Sequence, residues 1–325
     1  MTVRAMKPRC PTTRIAIICL IASGAVRSVC AQQPAPEQAD LNVGFGPTSF
    51  INVNAADAKA AFTVFARTVG RGQGYNLNVK VHTYDSERAF VSAVTNHNLH
   101  LVVILAWTYL DAHLDRYIEP SFLAIEGGHG PREYMLLVRQ DSEYRDIPDL
   151  QGKQVILLES TNCEMSRQWL RTRLLERGLG SPGSFFGRVD VEGKATKVLL
   201  PVFFGNADAC VLSRPVLNTM QELNPQIGRR VRAISESKPL VDAITCLSID
   251  GWEKEFYRTD LAESVKTLHE TPEGMQILTL FRVDRLAPFE ATMLTETRTL
   301  KDTHDRLLKG LHDPKRNAGK EGLAP

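Results

Sequence analysis

The sequence predicts an α/β protein made of two lobes. At 325 residues the chain is longer than one ordinary domain, and its composition, 43% hydrophobic and 23% charged, is that of a globular protein. Predicted strands and helices alternate along the chain, and the alternation occurs in two successive units. This order is typical of sheets whose strands are joined by helical crossovers, so each lobe should hold a mostly parallel sheet flanked by helices.

The first unit has the predicted order strand, helix, strand, helix, strand. A strand at 40–44 leads into a turn, and 55–69 has apolar residues at helical spacing before Gly70 and Gly72. Residues 75–82 alternate between apolar and polar side chains, which predicts a strand. A helix at 85–95 begins near Asp85, and the apolar run at 99–105 predicts a buried strand.

The second unit repeats the alternation. Strands are predicted at 133–139, 155–158, 207–212 and 231–234, with helices at about 164–177, 194–202 and 214–223. A further strand at 243–249 follows the turn at 237–239. The rest of the chain, from about 252 to 311, is predicted to be helical, and 312–325 to be a disordered tail.

The amino terminus has the three parts of a secretory signal peptide. Basic residues precede an apolar run at 15–26, which is too short to span a bilayer, and small residues allow cleavage after Ala31. We therefore expect residues 1–31 to be removed on export, and a periplasmic or extracellular protein without stable membrane insertion. A membrane anchor or a buried first helix is the alternative.

Charge and cysteine content narrow the function. The predicted leader holds five basic residues and no acids, so its removal changes the chain from 39 basic and 37 acidic residues to 34 and 37, a net charge of −3. Such a protein has no general attraction to nucleic acid. Of the cysteines only Cys163, Cys210 and Cys246 would remain, and an odd number leaves at least one free thiol. Their spacing matches no zinc site, and no metal or cofactor is expected.

Candidate ligand contacts follow the predicted strands, because ligands of open α/β sheets bind outside the carboxyl ends of the strands. Ser160, Thr161 and Asn162 lie between a strand and a helix, where free backbone N–H groups attract anions. An ordinary helix cap is the alternative. In the first unit the same rule selects further residues, of which the aromatic ones suit a cleft or a core edge equally: Thr48, Ser49, Tyr84, Trp107 and Tyr109.

Two further groups have competing interpretations. Asp208 enters a predicted strand and suits either a polar ligand contact or a side chain that fixes a turn. Arg167 and Arg171 share a helix face, which we interpret as solvated. Cys163 at a helix start could serve as a nucleophile, but no partner histidine lies nearby in the sequence, so no catalytic residue is expected.

Several segments resemble, in order and spacing, the phosphate/phosphite/phosphonate-binding proteins of ABC transporters, which have the type 2 periplasmic binding protein fold. The similar segments are VGFGPTSFINVNAADAKAAFTVFART, VHTYDSERAFVSAV, IPDLQGKQVILLESTNCEMSRQWL and FFGNADACVLSRPVLNTMQELNPQIGRRVRAISESKPL. The resemblance spans roughly residues 41–290. It implies two lobes joined by two crossing strands, with 41–130 and 243–300 in lobe I and 131–242 in lobe II.

The resemblance also implies how a ligand is held. Ser160 and Thr161 match a hydroxyl-rich helix start that holds phosphoryl oxygens, whereas Asn162 and Cys163 replace a hydroxyl and a glycine of the family pattern. Asp208 matches a position that can receive a ligand's amino group. Tyr84 matches a ligand-facing tyrosine, and Trp107, Tyr109, Thr48 and Ser49 would complete the opposing wall.

We therefore expect a monomeric solute-binding protein that closes around a small, oxyanionic ligand and delivers it to an ABC permease, without catalysis. Two alternatives use the same fold: a sensing module for a membrane-bound sensor, and an enzyme that uses Cys163.

Overall fold

The strands of the protein were defined in a computed structural model that describes residues 36–47, 49, 54–158 and 163–311, with only the backbone for Cys163. In chain order they are β1 (Glu37–Phe45), β2 (Tyr75–Thr83), β3 (Leu101–Leu105), β4 (Ile118–Ile125), β5 (Tyr134–Arg139), β6 (Gln154–Leu158), β7 (Arg188–Glu192), β8 (Ala209–Ser213), β9 (Val231–Glu236), β10 (Ala243–Ser248) and β11 (Arg285–Pro288). The predicted leader 1–31 and tail 312–325 lie outside the described residues.

The helices fill the connections between these strands. They are α1 (Ala55–Gly72), α2 (Glu87–Thr95), α3 (Ala106–Asp111), α4 (Cys163–Glu176), α5 (Pro182–Phe185), α6 (Ala195–Phe204), α7 (Arg214–Leu223), α8 (Gln226–Arg230), α9 (Glu255–Lys266), α10 (Pro272–Leu280) and α11 (Thr295–Leu311). Side chains cap several of them. Asn54 accepts two backbone N–H groups at the start of α1, and Ser86 accepts the Ala89 N–H in α2.

The described strands form two mixed sheets. Sheet A has the order β11-β4-β10-β3-β1-β2, in which β1 pairs in parallel with both β2 and β3, and β10 is antiparallel to β3 and β4. Sheet B has the order β7-β6-β8-β5-β9, in which β6 is parallel to β7 and β8. In each sheet most strands run in one direction, which confirms the predicted fold class.

Two chain segments connect the sheets, and they pair with each other. One runs between β4 and β5, the other between β9 and β10. Arg132 and Leu240 exchange backbone hydrogen bonds of 2.8 Å across them. The paired segments form a narrow connection of the kind at which hinge motions occur.

A buried charge cluster stabilises this connection. The Arg132 guanidinium forms ion pairs with Glu126 and with Asp242, at 3.2 Å for the latter, and the Tyr134 hydroxyl donates to Asp242. Burial raises the pKa of Asp242 to about 6, although the Arg132 charge and the Tyr134 hydrogen bond act in the opposite direction.

The predicted strands and helices are confirmed at most positions, with exceptions in less regular segments. The prediction omitted β4, β7 and β11. The prediction of a helical chain from 252 to 311 is wrong at Arg285–Pro288, where β11 completes the edge of sheet A next to β4. Its four residues are too few to show a period in the sequence.

The core residues are typical of central strands. β3 and β10 are buried along most of their length, as are β5 and β8 in sheet B. Cys210 and Cys246 are buried free thiols, and burial raises the pKa of both.

Within the described part of the chain, no helix is long and apolar enough to cross a membrane. No cluster of three or more potential metal ligands occurs there either.

Candidate ligand-binding site

A cavity of about 530 Å³ lies where the carboxyl ends of β1, β2 and β3 face helix α4; we call it the central cavity. Because these three strands are parallel, the segments that follow them meet at one edge of sheet A. The lining comes from those segments, from α4 and from α11: Gly46, Pro47, Ser49, Asp85, Ser86, Glu87, Phe90, Ile104, Leu105, Trp107, Thr108, Asp111, Glu164, Gln168, Arg171, Lys301, His304, Asp305 and Leu308.

The wall from sheet A combines an aromatic ring with fixed polar groups. Trp107 on α3 is 8% exposed, and its neighbour Thr108 donates its hydroxyl to Glu87 at the start of α2. Ser49 is half-buried beside them. This wall therefore offers one apolar surface, a carboxylate oxygen and a hydroxyl.

The wall from α4 consists of Glu164, Gln168 and Arg171. The i, i+4 and i+7 spacing places them on one helix face. The Gln168 amide donates to Glu164 at 2.6 Å, and its Oε1 atom is buried with no hydrogen-bond partner in the described chain. That oxygen is an acceptor available to a ligand or to water.

The third wall is α11, which carries Lys301, His304 and Asp305. The Lys301 ammonium lies 2.8 Å from an Asp111 oxygen and 2.6 Å from an Asp305 oxygen, and 5.4 Å from the centre of the Trp107 ring. His304 packs edge-on against Trp107 at 5.2 Å. Burial, followed by the charge of Arg171, lowers the pKa of His304, so its imidazole is neutral at pH 7.

The lining has more carboxylates than cations. Of its two cations, only one is not already paired with a carboxylate. The charge of Lys301 is balanced by Asp111 and Asp305. Arg171 is exposed and has no ion pair among the described residues. The amino end of α4, at Cys163, adds the positive end of a helix dipole. The cavity can thus attract an oxyanion near α4 and accept donated hydrogen bonds elsewhere.

The predicted residues of the first unit separate into two groups. Ser49 and Trp107 line the central cavity. Tyr84 does not; its ring packs on Phe90 with centres 5.3 Å apart, and burial raises its pKa. Tyr109 is 5% exposed and lies in the core, where burial raises its pKa to about 12. Two positions along a helix turn a side chain by roughly 200°, so Trp107 and Tyr109 face opposite ways.

Asp208 is not among the residues that line the central cavity, and its contacts fit the alternative in which its side chain fixes a turn. Its two oxygens accept the Tyr144 hydroxyl at 2.7 Å and the Gln154 backbone N–H at 2.9 Å. Gln154 begins β6 and Leu158 ends it, about 13 Å away at the usual rise per residue. The side chain fixes the start of two strands.

The remaining predicted contacts, Thr48, Ser160, Thr161 and Asn162, lie outside the described residues. The last three immediately precede α4 in the sequence, and α4 begins within one residue of its predicted start. Arg171 is exposed, in agreement with its interpretation as solvated, and it also lines the cavity.

The prediction omitted α11 as a wall. The sequence feature that could have identified this wall is a pair of polar residues on the buried face of α11. Lys301 and His304 share that face with Thr297 and Leu300. A lysine and a histidine at core-facing positions of an amphipathic helix indicate specific partners.

Two sheets joined by paired crossing segments, with a cavity between the strand ends of one and a helix of the other, define a type 2 periplasmic binding protein fold. A family model described as "ABC transporter, phosphonate, periplasmic substrate-binding protein" matches residues 48–294. The chain belongs to this family. It is an extracytoplasmic solute-binding protein that works with an ABC permease. The comparison with curated proteins gave no match.

Solved structures show the same fold at low sequence identity. XAC2383 from Xanthomonas citri, bound to ATP, has a TM-score of 0.60 at 14% identity over 83% of this chain and 98% of that chain. A binding protein component of an ABC phosphonate transporter from Pseudomonas aeruginosa has a TM-score of 0.56 at 12% identity, covering 86% and 90%. PhnD1 from Prochlorococcus marinus, in complex with methylphosphonate, has a TM-score of 0.54 at 18% identity, covering 83% and 98%.

Proposed function

We propose that the protein captures a small phosphorus oxyanion (phosphate, phosphite or a phosphonate) in the central cavity and presents it to the permease without chemical change. The observation that carries the proposal is the position of α4: its amino end and Arg171 supply positive potential beside a cavity between the two sheets. The methylphosphonate complex of PhnD1, which shares the fold, supports the choice of ligand class.

In this proposal each end of the ligand has a defined environment. Ser160, Thr161 and Asn162 precede α4 and supply donors to the oxyanion, together with the Arg171 guanidinium. Ser49 and Trp107 contact it from sheet A. Residues 41–130 with 243–300 and residues 131–242 act as two lobes that close about the pairing of Arg132 and Leu240. Export by the signal peptide at 1–31 places this monomeric protein in the periplasm.

Isothermal titration of the purified protein with phosphate, phosphite and methylphosphonate tests the proposal, with sulfate as the competing oxyanion. Arg171→Glu should weaken binding at least tenfold, because it replaces a nearby cation with an anion. Arg177→Ala is the matched control, since Arg177 directly follows α4, is outside the cavity lining and pairs with Asp146. Ser160→Ala should also weaken binding.

Two results would contradict the proposal. The first is the absence of binding by all three phosphorus oxyanions. The second is equal affinity in the Arg171→Glu variant and the wild type. The claim of no catalysis is tested by recovering the ligand after incubation: unchanged ligand with wild type and with Cys163→Ser agrees with it, whereas conversion that needs Cys163 contradicts it.

A further inference from the structure

A second, larger cavity of about 750 Å³, which we call the lateral cavity, is lined by the face of sheet A that α1, α9 and α10 cover. Leu158 and Ser213 of sheet B and residues of α7 complete its lining. Its floor is formed by side chains of β1 and β3, including Phe45 and Val103, and its walls by Phe62 and Phe65 of α1 and by Phe281 beyond α10. A volume of this size is typical of sites for drug-sized organic molecules.

The cavity is too large to be a packing defect. Protein interiors are close-packed and contain few voids larger than a water molecule. Several of its apolar side chains are correspondingly only half-buried, among them Phe62, Phe65, Trp252 and Phe281. Such rings are normally covered in a folded protein, and an open apolar lining of this extent marks a binding site.

The rings form a continuous wall. Phe45 stacks on Phe281 with ring centres 5.8 Å apart and meets Phe62 edge-on at the same distance. Charged residues that border the cavity are exposed or already paired, as with Asp260, which accepts the Tyr75 hydroxyl. The environment inside therefore suits an apolar group.

The lateral cavity adjoins the central cavity. Ser49, Ile104 and Leu105 line both, so the oxyanion region and the apolar region meet at these residues. A molecule whose polar end lies near α4 can therefore place an apolar end against Val103 and the phenylalanine rings.

We propose that the lateral cavity binds the apolar chain or ring of the same ligand, so that the solute is an amphiphilic oxyanion with a long alkyl or aryl substituent. The inference rests on the proposed function for the polar end of the ligand. Selectivity for the substituent then comes from the face of sheet A beneath α1. The oxyanion contacts alone would not distinguish one substituent from another.

A chain-length series tests this inference. Methyl-, butyl- and octylphosphonate are titrated into the wild-type protein by calorimetry. We expect affinity to rise with chain length, by about fourfold for each methylene group that becomes fully buried, and a one-to-one stoichiometry throughout. Trp252 lines the lateral cavity, so octylphosphonate should alter its fluorescence and methylphosphonate should not; Trp252→Phe identifies that signal.

Val103→Phe provides the matched variant, because Val103 is half-buried on the cavity floor. It should reduce the octylphosphonate affinity to that of methylphosphonate and leave methylphosphonate binding unchanged. Val64→Phe is the control: Val64 is on α1 but 65% exposed and outside the lining. Should Val103→Phe fail to fold, the wild-type series and the Trp252 signal still decide the matter.

The outcomes separate the two proposals. Equal affinity for methyl- and octylphosphonate, with no change at Trp252, would overturn the inference and leave the proposed function intact. If no phosphonate binds but octanol alters Trp252 fluorescence in wild type and not in Val103→Phe, the proposed function fails. The cavity then holds an independent apolar ligand, and the inference of a shared ligand is overturned as well.

Discussion

Thr172 and His304 share a buried hydrogen bond, with 2.9 Å between the hydroxyl oxygen and the Nδ1 atom. Thr172 belongs to α4, which packs on sheet B, and His304 to α11, which follows the last strand of sheet A. The bond therefore joins the two parts of the protein beside the central cavity, at a second place in addition to the crossing segments. Since His304 also contacts Trp107, α11 links α4 to α3.

Removal of this bond should destabilise the protein. Thr172→Val keeps the shape of the side chain but leaves the His304 nitrogen buried and unpaired, which costs about 1–3 kcal/mol. Thr299→Val is the control, because Thr299 is exposed on α11, the helix of His304, and donates only to the Thr295 carbonyl of its own turn. Urea unfolding measures both variants. A free energy of unfolding for Thr172→Val equal to that of the control would contradict a stabilising role.

His304 should also make stability depend on pH. Its pKa in the folded protein is lowered by burial and by Arg171 and Lys301, against the opposing charges of Asp305 and Asp111. Below the unfolded value of about 6.5 the unfolded chain therefore binds the proton more readily, and stability is lost as the pH falls. Between pH 7 and 5, the wild type should lose more of its free energy of unfolding than His304→Gln. Parallel curves would exclude this contribution.

Asp242 should act in the opposite direction. Its pKa is raised from 3.8 to about 6, so the folded protein takes up a proton in that interval. The contribution of Asp242 to stability should therefore decrease as the pH rises from about 4 to 6. The difference in free energy of unfolding between wild type and Asp242→Asn should shrink over this range, and a constant difference would contradict it.

The same residue has a large structural role at pH 7. Asp242→Ala leaves the Arg132 charge and the Tyr134 hydroxyl without their buried partner, and should cost about 3–5 kcal/mol. Glu126→Gln removes the more exposed partner of Arg132, and its smaller loss in urea unfolding is the comparison. Similar losses of free energy of unfolding in both variants would show that the buried Arg132–Asp242 pair stabilises the protein no more than the exposed pair.

The predictable part of the structure is the part whose sequence carries a regular pattern. The period-two alternation in β2 and the apolar runs of β3 and β10 identified strands, because burial of one or both faces dictates those patterns. β11 was not predicted, since four residues at a sheet edge show no period.

The site was predictable at the level of strand ends and not of individual side chains. The rule that ligands bind at carboxyl strand ends selected Trp107, which lines the central cavity, but it could not say that Tyr109, half a helical turn away, faces the core. Lys301 and His304 come from a helix far along the chain, and no local pattern connects them with β3. Asp208 entered the prediction through its place beside a predicted strand, and the family resemblance added a ligand role; its contacts at the start of β6 are tertiary.

Asp208 offers the last prediction, because its structural and ligand-binding roles lead to different results. Asp208→Ala removes the acceptor of the Tyr144 hydroxyl and of the Gln154 N–H, and should cost about 1–3 kcal/mol in urea unfolding. Tyr144→Phe removes only one of these bonds and should cost about 1 kcal/mol. Ligand affinity of Asp208→Ala should stay within twofold of wild type, because Asp208 lies at the edge of sheet B remote from the central cavity. A tenfold loss of affinity with an unchanged free energy of unfolding would instead assign Asp208 to the ligand.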